Sequence, residues 1–571
     1  MADRIVRWLF AALLVIGTIV WATGRQDHGF PTADLHADAP YYYVYLPSLL
    51  HGDLDFTDEY RETHNWYRLG RTPIGRPANV FGVGPALLDA PLFLVGHALA
   101  LATGSRSDGF SAWETRLYTW SSLVWTLGAI YLAYRLVRRR LGGGALAVVG
   151  PLACALAGPV IYYAVRQPGY AHPFATFFAA LLFERWDASY DRGPRTMRTW
   201  LVLGATLGAA MLARPQLALW GVLLVGAAFD DVRARRDPKL ALRWLVGAAA
   251  AVAVFAPQLV VWKLLYGSWW VVPQGPGFMR WDAPCWSETL FSSRNGLFPW
   301  SPAYVAFAIA LVASVRSQPR IVGFSFAGIA LQAIANGAVW DWWAGGSFGG
   351  RRFDSTFIAF AFGAAVIVQW IVASVPQAVR AGASAKVRVR GACSALVGAW
   401  LVALVLANLQ LVARTTVTSA RITGGVAASD VMREHVVGGT LAAWASSLAN
   451  LPARAMFAWR HGTSLDAYDR VVGVHVLGDT YPGLNNYGDQ LTATLPAPSL
   501  VDGEAHVLVE LNRTGGLDVA IPIDGPATIT WNGQPVPPRF HTDDLVRGTN
   551  DLVIAAPART IVHPIELSAS R

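Results

Sequence analysis

The sequence predicts a polytopic α-helical membrane protein of about 11 transmembrane helices, with a β-sandwich or jelly-roll domain at its C-terminal end. Three observations carry that fold class. Of the 571 residues, 54% are hydrophobic and only 15% charged, whereas soluble globular chains carry about 25% charged residues. Apolar runs long enough to cross the hydrocarbon as helix, about 17–25 residues, recur through the first 414 residues. Beyond them the pattern changes to short alternating segments broken by turn residues.

The first run, from about Trp8 to Trp21, follows Arg4 and Arg7, a pattern shared by signal peptides and retained first spans. Near residue 23 the sequence WATGRQ is a poor small-x-small cleavage site, so the retained span is the preferred reading. Counting it as 6–23, further spans are expected near 116–134, 144–164, 172–186, 199–213, 216–229, 241–262, 299–315, 321–340, 356–375 and 391–413. The run 80–101 is also long enough, yet it holds two prolines, Asp89 and His97.

Loop charge decides that case, because short cytoplasmic loops carry an excess of Lys and Arg. If 80–101 stays on one side, five basic clusters alternate correctly into the cytoplasm. They are Arg135, Arg138, Arg139 and Arg140; Arg185, Arg192, Arg195 and Arg198; Arg233, Arg235, Arg236, Lys239 and Arg243; Arg316 and Arg320; and Arg380, Lys386, Arg388 and Arg390. If it crosses, all five move outside. The expected protein is therefore integral to the plasma (inner) membrane, with a cytoplasmic N-terminus, an extracytoplasmic first loop at 24–115 and an extracytoplasmic C-terminal domain.

Residues 1–414 form the expected transmembrane domain and 415–460 a connector, in which 436–448 reads as a helix lying on the membrane or against the bundle. Within 461–571, the segments VVGVHVL, AHVLVELN, LDVAIPI, ATITWNG and DLVIAAP read as strands of an antiparallel β domain, separated by Asn-Gly, Asp-Gly and Gly-Thr-Asn turns.

The net charge of +9 sits in short clusters between apolar runs, which is a topology signal and excludes a nucleic-acid groove. Cys154, Cys285 and Cys393 lie far apart, without the spacing of structural zinc or of a disulfide framework.

The outer loops carry the unusual residues. The first concentrates acid at Asp34, Asp38, Asp53, Asp55, Asp58, Glu59 and Glu62, with His36 among them. An aromatic amphipathic helix from Tyr41 to Leu50 is expected between them at the bilayer surface, where tyrosine rings prefer to lie. Asp38 has two readings, a base that deprotonates an acceptor hydroxyl and an ordinary N-cap of that helix. Asp53-Leu-Asp55 has the spacing of a divalent-cation site and equally that of a solvated turn.

Arg166 and His172 flank a Pro-Gly turn, Trp281 and Arg294 lie in an aromatic and basic loop, and Arg351-Arg352 follow a glycine-rich stretch at the mouth of a span. Two adjacent arginines outside run against the positive-inside tendency. Paired guanidiniums at headgroup depth suit a phosphate or pyrophosphate, and equally an anionic lipid headgroup without catalysis. Tyr41, Tyr42, His172 and Trp281 are candidate substrate contacts, and Arg351, Arg352, Arg294 and Arg166 candidate phosphate contacts.

The segment HADAPYYYVYLPSLLHGDLDF resembles the Asp-Glu-x-x-Tyr region after the first span of the GT-C glycosyltransferases, in particular bacterial relatives of protein O-mannosyltransferases and of the lipid A aminoarabinose transferase. RPANVFGVGPALLDAPLFLVGHAL is similar to that family's second juxtamembrane helix, and WETRLYTWSS to the start of its second span. GYAHPFATFF, RNGLFPWSPAY and GGSFGGRRFD extend the resemblance over roughly residues 1–375. It places Asp38 at the family's catalytic aspartate, although Ala39 stands where many relatives have Glu.

The resemblance implies a hexosyl- or pentosyltransferase of GT-C type that takes a sugar from a polyprenyl-phosphate donor. The acceptor would be an envelope glycan, lipid or protein, and a divalent metal ion is a candidate cofactor. Two other classes stay open: a transporter or flippase of lipid-linked sugars, and a non-catalytic envelope assembly protein that binds glycan. Transporters bury ionisable residues in mid-membrane and show repeated halves, whereas this chain gathers its charge in outer loops and has no evident repeat.

Overall fold

The computed structural model describes residues 2–23, 35–65, 67–190, 194–234, 239–282, 284–345, 347–378, 384–414, 427–462, 464–466, 468–469, 492–495, 500–511, 516–543 and 548–569. Asp34, Arg192, Arg235, Arg236, Arg380 and the expected strand at 471–477 fall outside them.

Helix α1 (Ala2–Thr23) precedes a segment of three short helices, α2 (Ala39–Tyr43), α3 (Tyr45–His51) and α4 (Thr57–Glu62), which leads to α5 (Gly84–Ala102). The bundle continues with α6 (Ala112–Leu141), α7 (Val149–Leu156), α8 (Pro159–Val165), α9 (Ala171–Tyr190), α10 (Met197–Ala213), α11 (Val222–Ala234) and α12 (Leu240–Tyr266). After a long loop come α13 (Trp286–Phe291), α14 (Leu297–Trp300), α15 (Ala303–Ala313), α16 (Pro319–Ala338), a 3₁₀ turn at Arg351–Thr356, α17 (Phe357–Ala378) and α18 (Ala385–Arg414). The connector holds α19 (Ala428–His435) and α20 (Thr440–His461).

Six helical segments among the described residues are long and apolar enough to cross a membrane: Asp3–Thr23, Gly84–Ala102, Leu240–Tyr266, Pro319–Ala338, Arg351–Ala378 and Ala385–Arg414. The chain is an integral membrane protein. Helix α6 is long, 30 residues or about 45 Å, but it buries Thr115, Thr119, Ser121, Ser122 and Thr126. Its polar face turns into the bundle, where side chains can hydrogen-bond across helices, so its mean hydropathy understates its fit to lipid.

The run 144–164, read as one span, is instead two helices bent by 79°. Gly158-Pro159 makes the break. Pro159 opens α8, where a missing N–H costs nothing, and a Cβ at Gly158 would lie 2.4 Å from the Tyr304 hydroxyl. Asn408 donates to the freed carbonyls of Leu156 (2.8 Å) and Gly158 (3.2 Å).

The expected helix from Tyr41 to Leu50 is α2 followed by α3, and it is not a surface helix. Tyr41, Tyr43, Val44 and Tyr45 are at most 1% exposed, because the chain from Phe56 to Phe81 folds over them: Tyr45 packs edge-on to Phe56, and Tyr41 stacks on Phe81. Helix α5 passes the length and composition test for a span, so hydropathy alone does not say whether it crosses. It packs along the first half of α6. Gly96 lies where a Cβ would come 2.7 Å from the Trp113 carbonyl, and Trp125 donates to the buried Asp89 at 3.4 Å.

The C-terminal domain is built from β1 (Thr492–Leu495), β2 (Val501–Leu511), β3 (Leu517–Ala520), β4 (Ile523–Asp524), β5 (Thr528–Trp531), β6 (Gln534–Val536), β7 (Arg539–Thr542), β8 (Gly548–Val562) and β9 (Ile565–Ala569). One antiparallel sheet runs β1-β9-β3-β7 and the other β2-β8-β5-β6, with β4 also on β8. Both contribute to one core, Val509, Ile529, Trp531 and Ile554 from one sheet and Leu517, Val519 and Leu567 from the other. That is a sandwich. Asn532 and Gly533 both take positive φ (48° and 81°), which gives the β5–β6 hairpin its tight turn.

Candidate functional site

Asp38 stands at the start of α2, but its carboxylate makes no capping bond to the helix, so the N-cap reading of this residue fails. Instead Oδ1 accepts a hydrogen bond from the Tyr67 hydroxyl at 2.5 Å, and Oδ2 pairs with Arg351 Nη1 at 3.0 Å. Its backbone N–H donates to the Tyr170 hydroxyl (3.1 Å), which Gln167 Nε2 holds from the other side (2.8 Å). Asp38 and Arg351 are 13% and 15% exposed, so the pair is reachable without being surface-screened.

Tyr67 is positioned by Tyr41. The two rings stack at 5.0 Å, and the Tyr41 hydroxyl accepts from the Tyr67 backbone N–H at 2.6 Å. Burial, followed by the adjacent Asp38 carboxylate, pushes the Tyr67 phenol well above its usual range, so it stays a donor. Burial likewise raises Tyr41 and Tyr42 to about 12. Tyr41, expected to touch substrate, is therefore a buried support for Tyr67, whereas Tyr42 faces the polar cluster, in the field of Asp38, Arg214, Arg351 and Arg352.

A second layer adjoins the pair. His172 Nδ1 lies 3.0 Å from Asp354 Oδ2 and 3.3 Å from Arg214 Nη1. Arg352 is tied to Asp341, at 2.6 Å through Oδ1 and 2.9 Å through the backbone carbonyl. The glycines before the arginines serve packing. Gly350 has φ +75°, and a Cβ at Gly349 would come 2.1 Å from the Trp300 ring, so Gly349 lets the Arg351 turn sit flush on Trp300.

The structure thus brings together Asp38, Tyr42, His172, Arg351 and Arg352 of the expected residues. Arg166 ends α8 one turn from Tyr162, which lies in the field of both Arg166 and Arg351. Arg294 is elsewhere engaged, stacked over Trp343 at 4.0 Å and 5% exposed. Trp281 is 60% exposed on the loop after α12. Among the described residues no three His, Cys, Asp or Glu side chains form a group that could hold a metal ion. Asp53 and Asp55 turn their Oδ1 atoms onto Asp55 N–H (3.0 Å) and Thr57 N–H (3.1 Å), which are Asx turns.

Sequence reasoning missed Arg214, Tyr67, Tyr170 and Asp354. Arg214 carries the same signal that marked Arg351 and Arg352, an arginine at the end of a span on the side opposite the basic loops.

Residues 96–262 match the family model described as dolichyl-phosphate-mannose-protein mannosyltransferase. The likeness to that family is confined to this segment. The match bears out the resemblance read from the sequence, covers less than a third of the chain, and contains Arg166, His172 and Arg214. No curated protein matches the sequence. Among solved structures, the archaeal oligosaccharyltransferase AglB from Archaeoglobus fulgidus, in complex with an inhibitory peptide and a dolichol-phosphate, is similar at 14% identity and a TM-score of 0.40, over 76% of this chain and 59% of that one. A structure of the Archaeoglobus fulgidus oligosaccharyltransferase tethered to an acceptor peptide is similar at 15% identity and a TM-score of 0.36, over 81% and 58%. The chain spans less than two thirds of the length of either.

Proposed function

We propose that the protein transfers a sugar from a polyprenyl-phosphate donor to an extracytoplasmic glycan, lipid or protein, with Asp38 as general base. The observation that carries this reading is the Asp38–Arg351 pair, a carboxylate and a guanidinium 3.0 Å apart beside two further arginines. An acceptor O–H would give its proton to Asp38 while its oxygen attacks the anomeric carbon in line. The bond from that carbon to the phosphate oxygen breaks, and the electron pair leaves with the polyprenyl phosphate. Arg351, with Arg214 and Arg352 beside it, neutralises that developing charge.

An incoming phosphate competes with Asp38 for Arg351. Donor binding would therefore loosen the carboxylate just where a base is needed, while Tyr67 keeps it aimed. The extracytoplasmic side is supported by α6. Tyr118, whose hydroxyl bonds to Gly169 beside the site, lies 20 residues before Arg138, about 30 Å along a helix and about one hydrocarbon thickness.

The test is incubation of the purified protein with a panel of lipid-linked sugars, following release of polyprenyl phosphate. Release by the native protein and its loss in Asp38→Asn would support the mechanism, whereas sustained transfer by a correctly inserted Asp38→Asn protein would sink it.

A further inference from the structure

A cleft of about 620 Å³ opens between α1 and α6, at the opposite end of α6 from Asp38. It falls within the size range of small-molecule sites, about 300–1,000 Å³, and its lining includes Arg7, Arg135, Arg138 and Arg139. We propose that this cleft binds the phosphate of an anionic lipid headgroup.

The charge count favours an anion. Arg135 and Arg139 share the buried carboxylate of Glu184, Arg139 and Arg140 share Asp187, and Arg138 pairs with Asp3. With Arg7, and with Arg185 at 3.7 Å from Glu184, six guanidiniums face three carboxylates, which leaves three positive charges in excess. Glu184 and Asp187 are at most 1% exposed and belong to the helix packing, but Asp3 is 63% exposed and reaches in from the first turn of α1. Arg138 approaches both Asp3 oxygens, and Arg7 Nε donates to the Asp3 carbonyl at 3.3 Å. The Asp3 carboxylate thus occupies the cleft as an anion supplied by the chain itself, in the forked geometry that guanidinium offers to carboxylate and phosphate alike.

A lipid is favoured over a soluble anion by what surrounds the arginines. Val6, Tyr131 and Tyr134 line the cleft beside them; Tyr131 is 44% exposed, and Tyr134 presents its hydroxyl to Arg138 at 3.0 Å. Tyrosine rings beside guanidiniums, at the end of a helix long and apolar enough to cross a membrane, match a lipid headgroup whose acyl chains run along α1.

The experiment uses the full chain in detergent, with thermal unfolding and native mass spectrometry titrated by phosphatidylglycerol, cardiolipin, phosphatidylcholine and inorganic phosphate. The two anionic lipids should bind and raise the melting temperature, while phosphatidylcholine should not. Arg138→Gln should weaken anionic-lipid binding about tenfold, the loss of one charge-assisted contact. Asp3→Asn should strengthen it several-fold, a gain that misfolding cannot produce. Equal binding of phosphatidylcholine, an unchanged or weakened Asp3→Asn protein, or protection by inorganic phosphate at the same concentration as the lipid would each overturn the proposal.

Discussion

The protein builds ion pairs at both ends of its bundle, and it builds them differently. At the basic end, Asp231 and Arg195 are each 2% exposed, and Asp231 also accepts from Trp200 Nε1 at 2.9 Å, while Arg195 donates to Ser189 and to the Ala227 carbonyl as well. Both charges of that pair have several partners within the protein. At the other end, Asp38 meets Arg351 through one contact, both remain partly accessible, and Arg214 and Arg352 crowd the same small volume. Each of the three has a carboxylate near it, Asp38 for Arg351, Asp341 for Arg352 and Asp354 for Arg214. The first arrangement locks helices, and the second leaves a carboxylate and a guanidinium partly accessible.

The widest separation of the two should come from Asp38→Asn. Loss of a positioned base lowers turnover by about 10²–10⁴-fold, and the melting temperature should fall less than in Asp231→Ala, since the Asn side chain can still accept from Tyr67 and Arg351 is partly accessible to water. Sugar-transfer rate and thermal unfolding measured on the same preparation check both halves. Asp231→Ala should do the reverse. It leaves Arg195 buried with one acidic neighbour, Asp230 at 3.4 Å, and breaking such a pair costs about 3–5 kcal/mol. The protein that survives should transfer sugar at the native rate per folded molecule, and a specific loss of turnover instead would blur the distinction.

Tyr67→Phe sharpens the comparison at finer scale. It removes the 2.5 Å bond to Asp38 Oδ1 while keeping the ring stacked on Tyr41. A hydrogen bond of this kind contributes about 1.5–3 kcal/mol when one partner is charged, so turnover should fall by about one to two orders of magnitude with the fold intact. Rate measurements across acceptor concentrations would show the loss in kcat rather than in KM if Tyr67 aims the base.

Much of this site was legible in the sequence, and the misses have physical causes. Asp38, Arg351 and Arg352 stood out because each defied a simple rule, acid among aromatics or arginine on the wrong side. Arg214 obeyed the same logic but lay as a single residue in a short turn before Pro215, with no partner beside it to draw attention. Tyr67 sits in a stretch without periodicity, and its contact with Asp38 spans 29 positions, which no local pattern encodes. Asp53 and Asp55 had two readings because an Asx turn and a cation loop put carboxylates at the same spacing, and in the structure both form Asx turns. Hydropathy marked α1, α12, α17 and α18 well, yet averaged over Gly158-Pro159, where geometry rather than polarity breaks the helix.

The β domain offers the mildest contrast, a charge pair in open solvent. Asp518 and His541 face each other across β3 and β7, with His541 Nδ1 2.8 Å from Asp518 Oδ1, and that hydrogen bond raises the histidine above its ordinary value. A raised folded-state pKa means that the stabilisation is fully present below the ordinary histidine value of about 6.5. It is lost as pH climbs through the raised value, so β3 and β7 should loosen on the alkaline side. Hydrogen exchange of their backbone amides, corrected for intrinsic rates, should show protection falling across neutral pH in the native protein. The fall should flatten in His541→Gln, which keeps a donor without titrating. Exposure and salt screening keep the effect small.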